Sequence, residues 1–218
     1  MRSPWVSVFR QVPVQQRARV LIKFQTLLVE NKEDIAASIV AENGKTMVDA
    51  LGDVTRGIEV VEHCIAMPSL MMGEAVEQIS SNMDTKTVRQ PLGVVAGIAP
   101  FNFPAMIPLW MLPIAVSTGN AFILKPSEKV PTASHKIVKL ATQAGVPPGI
   151  ISILHGGVGA VNFLCSHKDI KAVSFVGSGH VGRIVYDLAT KHGKRVQAQM
   201  LKSTQYIGSK ALYILTLH

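Results

Sequence analysis

Three short stretches gather residue types that can do chemistry, and the first is Phe175-Val176-Gly177-Ser178-Gly179-His180-Val181-Gly182. Gly177, Gly179 and Gly182 have the spacing G-x-G-x-x-G, after an apolar run and before a helical pattern. A glycine turn that opens a helix presents free backbone N–H groups and the positive end of the helix dipole, which suit a phosphate. Glycines also serve any tight strand-to-helix turn, so the spacing alone is weak. The usual dinucleotide fingerprint adds an acid about 20 residues on, to hold a ribose. That region carries Gln197 and Gln199 and no acid. Either another group holds the ribose or no nucleotide binds.

The second stretch, Ile123-Leu124-Lys125-Pro126-Ser127-Glu128, ends an apolar run with a lysine, a fixed turn and a carboxylate. At the carboxyl end of a parallel strand, where open α/β sheets bind ligands, Lys125 and Glu128 can both reach ribose hydroxyls. Taken alone, it reads more readily as a strand end followed by a solvated charge pair. The third stretch is Ala99-Pro100-Phe101-Asn102-Phe103-Pro104. Two prolines stiffen a loop around Asn102, whose amide can donate to a developing oxyanion. A single loop asparagine is otherwise a turn residue.

The flanking elements must place these stretches on one edge. Apolar residues recur at helical spacing from Val20 through Phe24, Leu28, Ile35 and Ile39 to Val40, and Asn43-Gly44 stops that helix. A second helix is predicted from Thr46 to Ala66, before Pro68. Residues 75–90 alternate in short runs, AVEQIS and TKTVRQ, around Ser81-Asn82-Met83-Asp84, which predicts a hairpin. Strands are then predicted over 94–99, 121–124, 150–154 and 172–176, with a last one from about Arg195. Helices over 105–117, 132–144, 160–166 and 181–192 separate them. Short apolar strands alternating with helices give an α/β fold, a Rossmann-like parallel sheet with helices on both faces. The expected organisation is a helical segment at 1–74, the hairpin at 75–90, a dinucleotide-type domain at 91–199 and a divergent tail at 200–218.

Composition narrows the function classes. The 218 residues are 48% hydrophobic and 17% charged, as in a globular protein with a core. The apolar stretch 105–124 is broken by Pro108, Pro113, Gly119 and Asn120, so it reads as buried helix, turn and strand, not a membrane span. Two cysteines, Cys64 and Cys165, make neither a disulfide framework nor a metal site, and suggest a reducing compartment. The net charge of +8 lies mostly towards the ends, with no basic run interleaved with aromatics, which argues against nucleic acid as a partner. The acid-free, arginine-bearing first 29 residues have the composition of a mitochondrial presequence, but also that of the start of an amphipathic helix, which is preferred.

Together, A-P-F-N-F-P, then K-P-S-E 26 residues after its first alanine, then F-V-G-S-G-H-V-G, resemble the aldehyde dehydrogenase superfamily. GDVTRGIEVVEHC, LMMGE and FNFPAMIPLWMLPIAVSTGNAFILKPSE are similar to its CoA-acylating methylmalonate-semialdehyde (malonate-semialdehyde) branch. The resemblance implies NAD as cofactor, held without the usual ribose acid, and coenzyme A as cosubstrate. It assigns Lys125 and Glu128 to the adenosine ribose, Ser178 and Gly177 to the pyrophosphate turn, and Ala99, Phe101 and, more weakly, Lys129 to the same site. Asn102 becomes the oxyanion donor, and Arg56 grips the carboxylate of a semialdehyde, a task that suits its planar fork. Without the resemblance, Arg56 is a surface helical arginine. The implied partners are a small-molecule semialdehyde and, for full-length family members, three further subunits of a homotetramer. The hairpin is then half of the oligomerisation arm, and the compartment is the mitochondrion. The reaction implied is oxidation to propionyl-CoA or acetyl-CoA, in valine and pyrimidine breakdown.

The sequence departs from that pattern from Met200 onward, in MLKSTQYIGSKALYILTLH. The family's nucleophilic cysteine falls about 30 residues beyond the last clear match, so the resemblance implies that it is absent and that the chain is a truncated form. Cys64 and Cys165 are expected to be packed thiols. The alternative function is a nucleotide-binding isoform, or a modulator that pairs with full-length subunits, without catalysis. A Rossmann dehydrogenase of another family explains neither K-P-S-E with F-N-F-P nor the missing acid.

Overall fold

A computed structural model describes residues 9–201. The first named elements of the described residues are helices α1 (Val14–Glu30), α2 (Lys32–Asn43), α3 (Met47–Ile65) and the short α4 (Met67–Leu70). The first predicted helix is in fact two. At Asn31 the side chain donates to Leu27 O (2.8 Å), competing with the continuing helix, and the chain turns there. Gly44, at φ 79°, ends α2 in the left-handed conformation that glycine takes without penalty. Thr46 caps α3 by accepting from Asp49 N–H (3.2 Å).

The hairpin pairs β1 (Ala75–Ser80) with β2 (Met83–Lys86), antiparallel and exposed along both strands. Its turn is shorter than predicted, because Asn82 takes a positive φ of 60° and lets the chain reverse at Ser81-Asn82. The second strand therefore starts at Met83 and ends at Lys86, before the predicted TKTVRQ run is complete.

From residue 94 the elements alternate: β3 (Val94–Ile98), α5 (Met106–Ser117), β4 (Ala121–Lys125), α6 (Thr132–Ala144), β5 (Ile151–Ile153), α7 (Val158–Ser166), β6 (Ile170–Ser178), α8 (Gly179–Lys191) and β7 (Arg195–Leu201). The five strands form one parallel sheet in the order β5-β4-β3-β6-β7. This is the expected α/β architecture. The chain walks outward from β3 through β4 to β5, then returns to the other side of β3 as β6. That reversal makes the carboxyl ends of β3 and β6 the switch point, the place where open α/β sheets bind ligands, although the pocket lined by Val94, Gly149, His167 and Asp169 lies at the opposite ends of the strands.

Alternation of side chains along the strands divides the core. Val95, Phe122, Leu124, Ala172 and Val176 face α5 and α6, in a cluster that also contains Phe24, Ile39, Val54 and Ile58 of the N-terminal helices. Ala96, Ile98, Val173 and Phe175 face α7 and α8 on the other side. Helix α5 is apolar all round and nearly all buried, because the sheet lies on one side and α1 and α3 on the other. The crossing of α3 and α5 requires Gly57, where a Cβ would meet Leu109 Cβ at 2.9 Å. Arg17, also buried, donates from Nε to Ser117 O (2.7 Å) and so satisfies the last turn of α5. No helix of the described residues is long and apolar enough to cross a membrane. The tail expected at 200–218 lies, from residue 202, outside the described residues, as do the first 8 residues of the presequence-like segment.

Candidate functional site

The candidate site draws on three strand ends. Strand β3 delivers residues 99–105, β4 delivers 125–129, and β6 delivers the turn from Gly177 into α8. β3 and β4 end level, with Ile98 opposite Lys125, and Ala99 N–H donates to Lys125 O (3.0 Å). This bond ties the first loop to the second.

Lys125 is buried, and its ammonium pairs with Glu128 Oε2 at 3.0 Å. Glu128 itself is exposed, with its side chain 61% accessible. Its own backbone N–H, and then Lys125, hold its carboxyl below the usual carboxylate range. The pair thus offers an ionised acceptor at the rim, backed by a cation anchored inside. Ser127 Oγ accepts from Lys129 N–H (3.3 Å), which shapes the turn. Lys129 Nζ lies 5.3 Å from the centroid of the exposed Phe101 ring, a cation–π contact across the two loops.

Ser178 is exposed at the N-cap of α8, and its side chain makes no cap hydrogen bond. The first turn of α8 carries no acid, so its N–H groups and dipole are uncompensated there. Two of the three glycines have a packing reason. A Cβ at Gly177 would meet the Phe175 ring at 2.5 Å, and one at Gly182 would meet Met200 at 3.1 Å. At Gly179 the nearest atom is 3.9 Å away, so packing does not demand a glycine there. Val158, at the start of α7, and Val181 and Ile184, in the first two turns of α8, are exposed apolar side chains to which sequence reasoning gave no role.

Asn102 is half-buried, and its side-chain amide bonds to no described residue. Its backbone is held firmly. Lys45 Nζ donates to Asn102 O (2.6 Å), and Asn43 Nδ2 donates to Phe101 O (2.9 Å). Lys45 also pairs with Asp53 Oδ2 (3.4 Å), and Asp53 Oδ1 accepts from Met106 N–H (2.8 Å) at the start of α5. Burial raises the Asp53 carboxyl above its ordinary range, against the pull of Met106 N–H and Lys45. This network was missed in the sequence, although Asp53 falls on the buried stripe Ala50, Asp53, Val54, Gly57 of α3. An acid in an apolar stripe is the signal that could have found it.

Arg56 is exposed on α3, three residues after Asp53, without a hydrogen bond or ion pair among the described residues. On α5, Trp110 Nε1 is the buried side-chain polar atom left without a partner among the described residues. The structure therefore gathers Ala99, Phe101, Asn102, Lys125, Glu128, Lys129, Gly177 and Ser178 along one sheet edge and places Arg56 on the neighbouring helix. Among the described residues, no group of three or more histidines, cysteines and acids is placed to hold a metal.

Residues 5–205 match the Aldehyde dehydrogenase family. The chain belongs to that family. Aldehyde dehydrogenases are oxidoreductases, and the relatives of this chain narrow the branch. It is 54% identical over 184 residues to the probable methylmalonate-semialdehyde/malonate-semialdehyde dehydrogenase (acylating), mitochondrial, of Drosophila melanogaster. The match covers 84% of this chain and 35% of that protein. The human protein named methylmalonate-semialdehyde/malonate-semialdehyde dehydrogenase (acylating), mitochondrial, is 54% identical over 187 residues, covering 86% of this chain and 35% of its own length. A methylmalonate-semialdehyde dehydrogenase structure from Sinorhizobium meliloti, described as putative and complexed with NAD, superposes with a TM-score of 0.86 at 45% identity. It is covered to 39%, and this chain to 88%. The chain thus spans about a third of the length of the curated relatives it matches.

Both cysteines of the chain, Cys64 and Cys165, are free and buried. Cys64 lies in the core between α3 and its neighbours, and burial pushes its thiol from 9.0 up to about 12. Cys165 is buried against β6 and is also raised by burial, opposed by nearby Lys194. A thiol-reactive disulfide reagent at pH 8 should therefore label neither cysteine in the folded chain and both after unfolding in guanidinium. Fast labelling of either in the native state would contradict this burial. The Cys64 shift also has a sign for stability. Above pH 9 the unfolded thiol ionises while the folded one keeps its proton, so this contribution is lost as pH rises from 9.0 towards about 12.

Proposed function

We propose that the chain is the nucleotide-binding part of a CoA-acylating dehydrogenase for methylmalonate and malonate semialdehyde, holding NAD at the carboxyl ends of β3, β4 and β6. One observation carries this reading. The Asn102 loop, the Lys125–Glu128 pair and the uncompensated N-terminus of α8 converge on one sheet edge, at the topological switch point.

The chemistry of the donors suits each part of such a ligand. The Glu128 carboxylate accepts from a vicinal diol, and Lys125 donates to the same hydroxyls, which replaces the ribose acid missing after β6. The N–H groups at Ser178 and Gly179 suit a pyrophosphate. The exposed Val181 and Ile184 follow that turn on α8 and offer an apolar surface for a flat heterocycle. When bound, NAD supplies the hydride acceptor. Asn102 then supplies an amide donor for the oxygen that gains charge as a thiolate adds to an aldehyde, and Arg56 a fork for the substrate's carboxylate.

Burial raises the thiols of both Cys64 and Cys165, so neither is a ready source of that thiolate at neutral pH. Turnover, acyl transfer to coenzyme A, a homotetramer built with the hairpin and a mitochondrial setting therefore belong to the proposal for the whole protein. The exposed Val76, Ile79 and Met83 on the hairpin support its role as an arm that another chain covers. A calorimetric titration tests the central part. NAD should bind the chain at one site, and ADP-ribose should displace it. Ser178→Ala should weaken binding by less than about tenfold, because the backbone N–H groups remain. A titration without binding would refute the reading.

A further inference from the structure

We propose that Lys45 and Asp53 are positioning residues that fix the direction of the Asn102 amide by clamping both ends of its loop to the N-terminal helices. The inference rests on the reading of Asn102 as an oxyanion donor, and extends it to residues far from it in sequence.

The loop from Asn102 to Met106 is held at its first residue by Lys45 Nζ on Asn102 O (2.6 Å), and at its last by Asp53 Oδ1 on Met106 N–H (2.8 Å). The two clamps are joined to each other by the Lys45–Asp53 ion pair at 3.4 Å. Lys45 lies 4.9 Å from the Phe103 ring centroid, so the loop's own side chain roofs the ammonium. Asn43 adds a third tie one residue upstream, at Phe101 O (2.9 Å).

A simpler role, capping α5, accounts for Asp53 but not for Lys45, which reaches past the helix to the carbonyl of Asn102 itself. Asp53 is fully buried, and a lone buried carboxylate is costly unless it is paired. Lys45 supplies that partner on one oxygen and Met106 N–H on the other. What the pair provides, and an apolar contact would not, is a fixed path for residues 102–106. With both carbonyl and N–H ends anchored, the backbone that carries the Asn102 side chain is fixed while its amide stays unbonded to the described residues. An oxyanion donor is effective only when its direction is set before charge develops.

The test uses the whole isotope-labelled chain with Lys45→Met, Lys45→Arg and Asp53→Asn. Backbone hydrogen exchange over 101–106 and the Asn102 side-chain NH2 resonances report the loop, thermal unfolding reports the fold, and NAD titration reports the proposed function separately. In Lys45→Met the exchange should quicken at least tenfold and the Asn102 NH2 signals should shift, with exchange in β3 and β4 unchanged. Lys45→Arg should restore both. Asp53→Asn keeps an acceptor for Met106 but loses the ion pair, so it should fall between, and it decides the matter if Lys45→Met does not fold. Unchanged loop exchange and Asn102 signals in a folded Lys45→Met chain would overturn the proposal. A wild-type chain that fails to bind NAD would overturn the function instead, with the loop readout still deciding this inference.

Discussion

Replacing Glu128 with alanine should weaken NAD binding by about 10- to 100-fold and narrow the preference for NAD over NADP. The first effect follows from the bonds lost. A hydrogen bond to a charged group contributes about 1.5–3 kcal/mol, and each 1.4 kcal/mol is roughly a tenfold change in affinity. Glu128 is exposed and ionised, held below the usual carboxylate range by its own backbone N–H and by Lys125, so at neutral pH it is a ready acceptor for a ribose diol. The substitution also strips the buried Lys125 ammonium of its partner at 3.0 Å, which adds to the loss. The second effect is electrostatic. A 2′-phosphate would lie against the Glu128 carboxylate, and like charges at contact distance discriminate against NADP. Without the carboxylate, Lys125 and Lys129 remain as cations facing that phosphate. Parallel titrations of wild type and variant with both nucleotides measure the effect. Equal affinities in wild type and variant would remove Glu128 from the ribose site.

Phe24→Ala should destabilise the chain by about 3–5 kcal/mol while leaving one cooperative unfolding transition. Phe24 is fully buried on α1, in the cluster that runs through α3 and α5 to Val95 and Phe122 of the sheet. Removing its ring leaves a cavity where α1 packs on α3 and α6, and close-packed neighbours collapse only partly into such a space. Because that cluster joins residues on both sides of residue 90, the loss should lower the whole transition, not melt the N-terminal helices alone. Denaturant unfolding followed by circular dichroism and by Trp fluorescence checks both statements. Two separated transitions would show that the helical segment and the sheet are independent units.

Much of this fold was legible because its signals are local. The run Val94 to Ile98, the turn at Gly119-Asn120 and the run Ala121 to Lys125 each carry their own apolar pattern and stop residue, and the observed strands fall there. The strand-end residues followed from that alternation to within two residues, since the strands predicted to stop at Leu124 and Val176 run on to Lys125 and Ser178. The break at Asn31 was not legible: apolar spacing runs through it, and only a side-chain bond to Leu27 O interrupts the helix. The clamp on Asn102 was hidden for another reason. Its donor and acceptor lie 57 residues apart, and periodicity carries no information about contacts at that separation. The hairpin turn was misjudged because Asn82 reverses the chain in fewer residues than the polar run suggests.

The place where NAD binds is the decisive property of this chain. A titration of the isotope-labelled chain with NAD, followed by amide chemical shifts, tests this most directly. The expected result is saturable shifts at residues 99–102, 125–129 and 177–182, with Gly149, His167 and Asp169 on the opposite, amino-terminal side of the sheet unmoved. No shifts, or shifts centred on that opposite side, would contradict a nucleotide site at the strand ends.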